Sequence, residues 1–392
     1  MKKWTKVFSL VLAVAMVFCL FAACGDNGDD VDENGLKTLL IGGIGPLTGD
    51  YANYGTSVYH GAQIAVNEIN AAHPEGINGY KLELSFMDSA ASPDQAVSSY
   101  GSLVDKGMKV SLGGVLSGEC AAVVAAAKED GFLVLTPSGS AVSAIEGSDN
   151  AFRVCFSDPA QGKVSADYIS EKNLAKKVAV FYGSDNDYCV GLYDTFKAEC
   201  AVKGIEIVEV QTFTATTNTD FSTQIDKIEA SGAELVFLPI YAAEASSFLS
   251  QAKAKGKLTN MVKYGCDGLD GILTKIDDPT TVNGVMMLTP FAADSTDAKV
   301  QNFVNLYKTD YNATPDQFAA DGYDAIYTIV AALQKAGITA DNADDFNSRL
   351  VAAMTQITVE GVTGKMTWTP DGEPTKSPMA MVYQDGTAKL AQ

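Results

Sequence analysis

Three segments of this chain place small polar or acidic residues directly after apolar, β-rich runs, where they could grip the two ends of a zwitterion. The run beginning at Val110 leads into Gly113-Gly114-Val115-Leu116-Ser117-Gly118-Glu119, and Phe132 to Leu135 leads into Thr136-Pro137-Ser138-Gly139-Ser140. Hydroxyls and backbone amides at the start of a helix hold a carboxylate without a cation. Met261 to Tyr264 leads into Gly265-Cys266-Asp267-Gly268, whose carboxylate suits an ammonium. Each has an ordinary reading when taken alone, because serine loops form common turns and an aspartate after a strand commonly caps a helix. Set on opposite walls of one cleft, they complete a site for an α-amino acid. Tyr188 and Tyr241, which also follow β-rich runs, add aromatic surface to the acidic wall.

Other chemistries find few residues. Gly43-Ile44-Gly45 invites a dinucleotide reading, but Thr48 stands where the third glycine belongs and Pro46 interrupts the turn. GxSxG, HExxH and phosphate-loop patterns are absent, which disfavours an enzyme. His60 and His73 are the only histidines, so a histidine metal site is excluded and each is expected to pack or face water. Asp185 and Asp187 could serve as a glycosidase pair, though an acidic loop is the plainer reading. The only arginines are Arg153 and Arg349, neither expected at a strand end, so no guanidinium clamp is expected. Cys120, Cys155, Cys189, Cys200 and Cys266 have no CxxC spacing and are odd in number, and buried free thiols are expected. No cofactor and no metal are expected.

Positioning those segments requires a parallel sheet. From Lys37 onward, β-rich runs such as Thr38 to Gly42 and Leu82 to Met87 alternate with helical stretches. In Ser57 to Asn70, Ala62, Ala65, Val66 and Ile69 fall at i, i+3, i+4 and i+7, one apolar stripe. Ser92-Pro93 reads as a helix cap followed by proline in the first turn. Further strands are expected at Val178 to Tyr182, Ile205 to Val210, Leu235 to Ile240 and Val285 to Leu288. After Pro290 come three helical stretches, then β segments near Lys365 to Thr369 and Met379 to Tyr383. Open parallel sheets bind ligands beyond the carboxyl ends of their strands, where the candidate loops lie. A body of this length exceeds one core, so two lobes are expected.

The chain opens with Lys2, Lys3 and Lys6, continues with an apolar run from Val7 to about Ala23, and reaches Leu20-Phe21-Ala22-Ala23-Cys24-Gly25. Residues 1–23 read as a cleavable signal, and small residues before a cysteine resemble the bacterial lipoprotein box, with Cys24 as the lipidated residue and plain secretion as the other reading. Residues 24–36, acidic and rich in glycine, are expected to form a flexible tether. The net charge of −20 leaves no basic stripe for nucleic acid.

Together the motifs resemble the branched-chain amino-acid (leucine/isoleucine/valine) binding proteins of ABC importers. They are Gly45-Pro46-Leu47-Thr48-Gly49 with Tyr54-Gly55, Gly61-Ala62-x-x-Ala65-Val66-x-x-Ile69-Asn70, Asp94-Gln95-Ala96-Val97, Thr136-Pro137, Tyr188-x-x-Gly191-Leu192, Asp220-Phe221-Ser222 and Gly265-x-Asp267-Gly268. The resemblance implies a type I periplasmic-binding fold: two doubly wound α/β lobes joined by a three-strand hinge, residues 37–157 with 291–375 and residues 158–290 with 376–392, crossing near Ser157, Pro290 and Thr375. It implies that Ser117 and the loop Ser138, Gly139 and Ser140 hold the carboxylate, that Ser140 and Asp267 hold the ammonium, and that Tyr54, Tyr188, Tyr241 and Phe318 surround the side chain. It also implies a monomer, delivery to an ABC permease, and an extracytoplasmic, membrane-anchored location. Glutamate is commoner in that family at Asp267, Ala-Ala-Thr is common at 138–140, and Ala91 and Leu116 stand where it often has a disulfide. A sensor lobe for an amide or aromatic acid, and more remotely a nucleotide-dependent enzyme, are the other readings.

Overall fold

The computed structural model describes residues 31–391; the signal segment and Cys24 lie outside them. Strand β1 (Lys37–Gly45) opens the first lobe, followed by α1 (Ala52–Ala72), β2 (Tyr80–Asp88), α2 (Pro93–Asp105), β3 (Val110–Ser111), α3 (Ser117–Asp130), β4 (Val134–Thr136) and β5 (Ala151–Arg153). All five strands run parallel in the order β2-β1-β3-β4-β5. A second sheet takes over with α4 (Asp158–Glu171), β6 (Lys177–Gly183), α5 (Asp187–Lys203), β7 (Glu206–Phe213), α6 (Ser222–Ala230), β8 (Leu235–Leu238), α7 (Ala242–Ala254), β9 (Val262–Gly265) and β10 (Val285–Thr289). The chain then returns to the first lobe through α8 (Ala298–Tyr311), α9 (Gln317–Lys335), α10 (Phe346–Met354) and the hairpin β11 (Val359–Gly361) and β12 (Gly364–Met366). It closes on the second sheet with β13 (Met379–Gln384), antiparallel to β10, and β14 (Thr387–Leu390).

The apolar stripe of α1 explains the layering. Ala62, Ala65, Val66 and Ile69 are buried, and they share a core with Ala319, Tyr323, Ile326 and Leu333 of α9. Glycine permits the closest approach. A Cβ on Gly61 would overlap the Ala319 carbonyl, and one on Gly322 would overlap the Val58 carbonyl. Helix starts follow the expected chemistry: Ser92 Oγ accepts from Gln95 N, and Asn186 and Asp316 accept from Cys189 N and Ala319 N.

Three connections join the lobes, at residues 154–157, 290–297 and 367–378. The first and third are stitched together: Arg153 N donates to Gly372 O at 3.1 Å, and Trp368 Nε1 donates to Arg153 O at 2.8 Å. Lys376 of the third forms a buried 2.6 Å ion pair with Asp321 of α9.

Two expectations change. Residues 32–36 of the expected tether form a hydrogen-bonded turn, in which Asp32 accepts from Asn34 N and Leu36 N and pairs with Lys81 at 3.4 Å. Strand β5 went unforeseen, and Arg153, expected away from any strand end, is its last residue.

Candidate ligand site between the lobes

The first-lobe wall is built from the loops after β3 and β4. Ser117 begins α3, and its hydroxyl accepts from Ala141 N at 3.1 Å. Ser138 Oγ donates to Val115 O at 2.8 Å, while Gly139 N donates to Thr136 Oγ1, which itself donates to Gly114 O. Every serine of this wall is buried. These internal bonds fix the loops before any ligand contact is made.

The second-lobe wall carries the charge. Asp267 lies in a short turn after β9 and is 3% exposed. Its Oδ1 accepts from Tyr188 OH at 2.7 Å and from Gly268 N at 2.9 Å. Burial holds its carboxyl up to about 6, opposed by the bonds from Tyr188 and Gly268. The rings of Tyr188 and Tyr241 stack at 4.7 Å, and Tyr54 and Phe318 meet edge-on at 4.7 Å.

Tyr54 belongs to the first lobe, yet its hydroxyl donates to Gly268 O at 2.7 Å and accepts from Ala242 N at 2.8 Å. Tyr51 OH likewise donates to Glu244 Oε1 across the cleft, at 2.7 Å. The walls are thereby drawn together around a cavity of about 10 Å³, roughly the space of one water.

Of the residues expected at a site, Tyr54, Ser117, Ser138, Ser140, Tyr188, Tyr241, Asp267 and Phe318 all line this cavity. Gly139 backs the serine loop against Cys120 and Thr136 instead. The carboxylates of Asp185 and Asp187 are bound to Ala215 N and Ser143 Oγ, as an acidic loop requires. His60 stacks on Tyr311 at 3.6 Å, and His73 lies near Glu75 at the surface. All five body cysteines are buried and free. Among the described residues, no group of three or more His, Cys, Asp or Glu could hold a metal, and no helix is long and apolar enough to cross a membrane.

Three residues escaped the sequence reading. Asp158 and Gln161, in the first turn of α4, are fully buried. Gln161 Oε1 accepts from Asp267 N at 3.1 Å, while Gln161 Nε2 and both Asp158 carboxylate oxygens have no hydrogen-bond partner. Burial, and then the neighbouring Asp267 charge, push the Asp158 carboxyl well up. An aspartate at a helix start is its only sequence signal, and it is an ambiguous one. The third is Arg153, whose fully buried guanidinium donates to the carbonyls of Gly139, Ser140 and Ala141 at 2.9, 2.5 and 3.1 Å.

Comparison with known proteins agrees with this architecture. Residues 38–389 match the model of a family described as periplasmic binding protein. A Leu/Ile/Val-binding protein homolog of Brucella melitensis is 33% identical over 78% of this chain and 81% of its own length. An amino acid binding protein of Pseudomonas aeruginosa is 30% identical over 92% and 94%. Among solved structures, the branched-chain amino acid transporter substrate-binding protein LivJ of Streptococcus pneumoniae, in complex with isoleucine, superposes with a TM-score of 0.81. It is 29% identical, covering 90% of this chain and 98% of that one. The family is one of solute capture for transport rather than of catalysis, and by sequence and by fold this chain belongs to the periplasmic binding protein family.

Proposed function

We propose that this protein captures an α-amino acid of the branched-chain class between its lobes outside the cytoplasm and delivers it to an ABC permease. The observation that carries this reading is the pairing of Asp267 with the serine loops across a single buried cavity. Ser117, Ser140 and the amides of Ser138 and Ser140 take the carboxylate, and Asp267 with Tyr188 takes the ammonium. Tyr54, Tyr241 and Phe318, with Val115 and Leu116 nearby, surround an apolar side chain. An aromatic acid suits this site poorly. It would satisfy the serine wall but bring no cation to Asp267, leaving that buried charge uncompensated.

Ligand closes the lobes by binding the shut form more tightly than the open one. Residues 37–157 with 291–375 form one lobe and residues 158–290 with 376–392 the other, acting as a monomer. Lipid on Cys24 anchors the protein to the membrane. Mass spectrometry of the membrane-extracted chain tests that anchor, and an unmodified chain beginning elsewhere would refute it.

The first test of function is thermal unfolding of refolded residues 25–392 against amino acids, amides and aromatic acids. Ligand at 100 times its Kd adds about 2.7 kcal/mol. Leucine, isoleucine or valine should raise the midpoint, whereas a shift confined to aromatic acids would overturn the reading.

A further inference from the structure

We infer that Arg153 is the cation of the carboxylate site, acting through the serine loop as a positioning residue rather than by touching the ligand. This rests on the amino-acid reading above. No basic side chain lines the cavity, and its second-lobe side carries buried Asp267. A carboxylate entering such a place needs compensation from somewhere.

Arg153 stands on the far side of the loop. Its Nη1 donates to Gly139 O and Ser140 O, and its Nη2 to Ala141 O and, at 3.3 Å, toward Glu373 Oε1. A carbonyl that accepts from a guanidinium is polarised along its whole peptide unit, which makes the N–H on the same unit a stronger donor. The units concerned are those joining Gly139 to Ser140, Ser140 to Ala141, and Ala141 to Val142. The Ala141 amide donates to Ser117 Oγ, a hydroxyl that lines the cavity as Ser140 does, so the polarisation reaches the cavity through Ser117 and Ser140 while Arg153 stays fully buried behind the loop. Three carbonyls at diverging angles suit the planar fork of arginine, which the point charge of lysine cannot reproduce.

The same residue is fastened to the third interlobe connection, through Gly372 O, Trp368 Nε1 and the partly exposed Glu373. Glu373 moderates the charge that the loop receives.

The test compares L-isoleucine with L-isoleucinamide, which keeps the ammonium and side chain but lacks the anionic carboxylate, by titration calorimetry. The unaltered protein should prefer the acid strongly. Arg153→Met should reduce that preference by about tenfold, and Arg153→Lys should restore part of it. A loss of packing alone would weaken acid and amide equally, so a folded Arg153→Met variant with the original preference overturns the inference. Should that variant fail to fold, Glu373→Gln decides: removing the counter-charge should raise the preference by about threefold, and an unchanged ratio overturns it. Equal binding of acid and amide by the unaltered protein, or binding of neither, would remove the amino-acid reading and this one together.

Discussion

The two walls of the cleft solve opposite problems. The first-lobe wall is neutral at its surface, and its polar groups are tied to one another: Ser138 to Val115 O, Ser117 to Ala141 N, Gly139 N to Thr136. The second-lobe wall is charged. Asp267 has Tyr188 and Gly268 N for its charge, while nearby Asp158, whose carboxyl burial pushes well up, adds a proton-bearing group rather than a second charge. A wall whose bonds are already made can orient a ligand at little cost in ordering, whereas a wall with uncompensated charge gains most when a cation arrives. On the proposed reading, the carboxylate meets prearranged dipoles and the ammonium meets a net charge at the cavity surface.

The largest effect should come from the charged wall. Asp267→Ala leaves a bound ammonium without its partner and should cost about 2 to 5 kcal/mol of binding by calorimetry; an unchanged affinity would dissolve the contrast. Ser117→Ala removes one hydroxyl from the neutral wall and should cost about 1.5 to 3 kcal/mol. If it cost more than the aspartate, the assignment of roles would be reversed.

Titration separates the walls further. Asp267, held up to about 6 by burial, is ionised above that pH and ready for an ammonium. Below it the free protein must surrender a proton to bind, so affinity should fall by up to about tenfold per pH unit. Asp267→Asn should flatten that profile at a lower affinity. Behind the first wall lies Glu119, held up to about 7 by burial, with Ser89 Oγ and Leu116 N donating to it. A slope that survives Asp267→Asn would assign the proton to another buried carboxyl, Asp158, Asp321 or Glu119. The smallest effect concerns the contact between walls. Tyr54→Phe strands Gly268 O and Ala242 N in the closed form, at about 1 kcal/mol, and should speed ligand release about fivefold in stopped flow with little change in association.

Much of this was legible because strand ends announce themselves. Ser117, the Ser138–Ser140 loop and Asp267 each follow an apolar run, and the rule that ligands bind beyond the carboxyl ends of parallel strands gathers them on facing walls. The stripe on α1 and the Ser92-Pro93 start were equally plain, since both are local patterns. Strand β5 was hidden because it is only three residues long and ends in arginine, a residue that suits a buried strand only once three carbonyls from another loop surround it. Asp158 was hidden for the reverse reason. A helix-start aspartate has a sufficient local explanation, and only the fold reveals that its carboxylate lacks a partner. Tyr54 was expected as an aromatic wall, but its bonds to Gly268 and Ala242 depend on two lobes whose closure no local pattern encodes. The turn at residues 32–36 depends likewise on Lys81, far along the chain.

The five free thiols have a consequence for biogenesis. In a chain that folds outside the cytoplasm, each sulfur is open to oxidation until a core covers it. Cys189, Cys200 and Cys266 belong to the second-lobe core, most of which comes from one continuous stretch of sequence, and Cys120 packs in a cluster drawn from residues 40 to 151. Cys155 is different. Lying in the first interlobe connection, its buried thiol has Asp321 of α9 and Lys376 of the third connection among its charged neighbours, so its surroundings are complete only when the last part of the chain has arrived. In vectorial folding it is the thiol that waits longest, and the race between folding and oxidation is decided there.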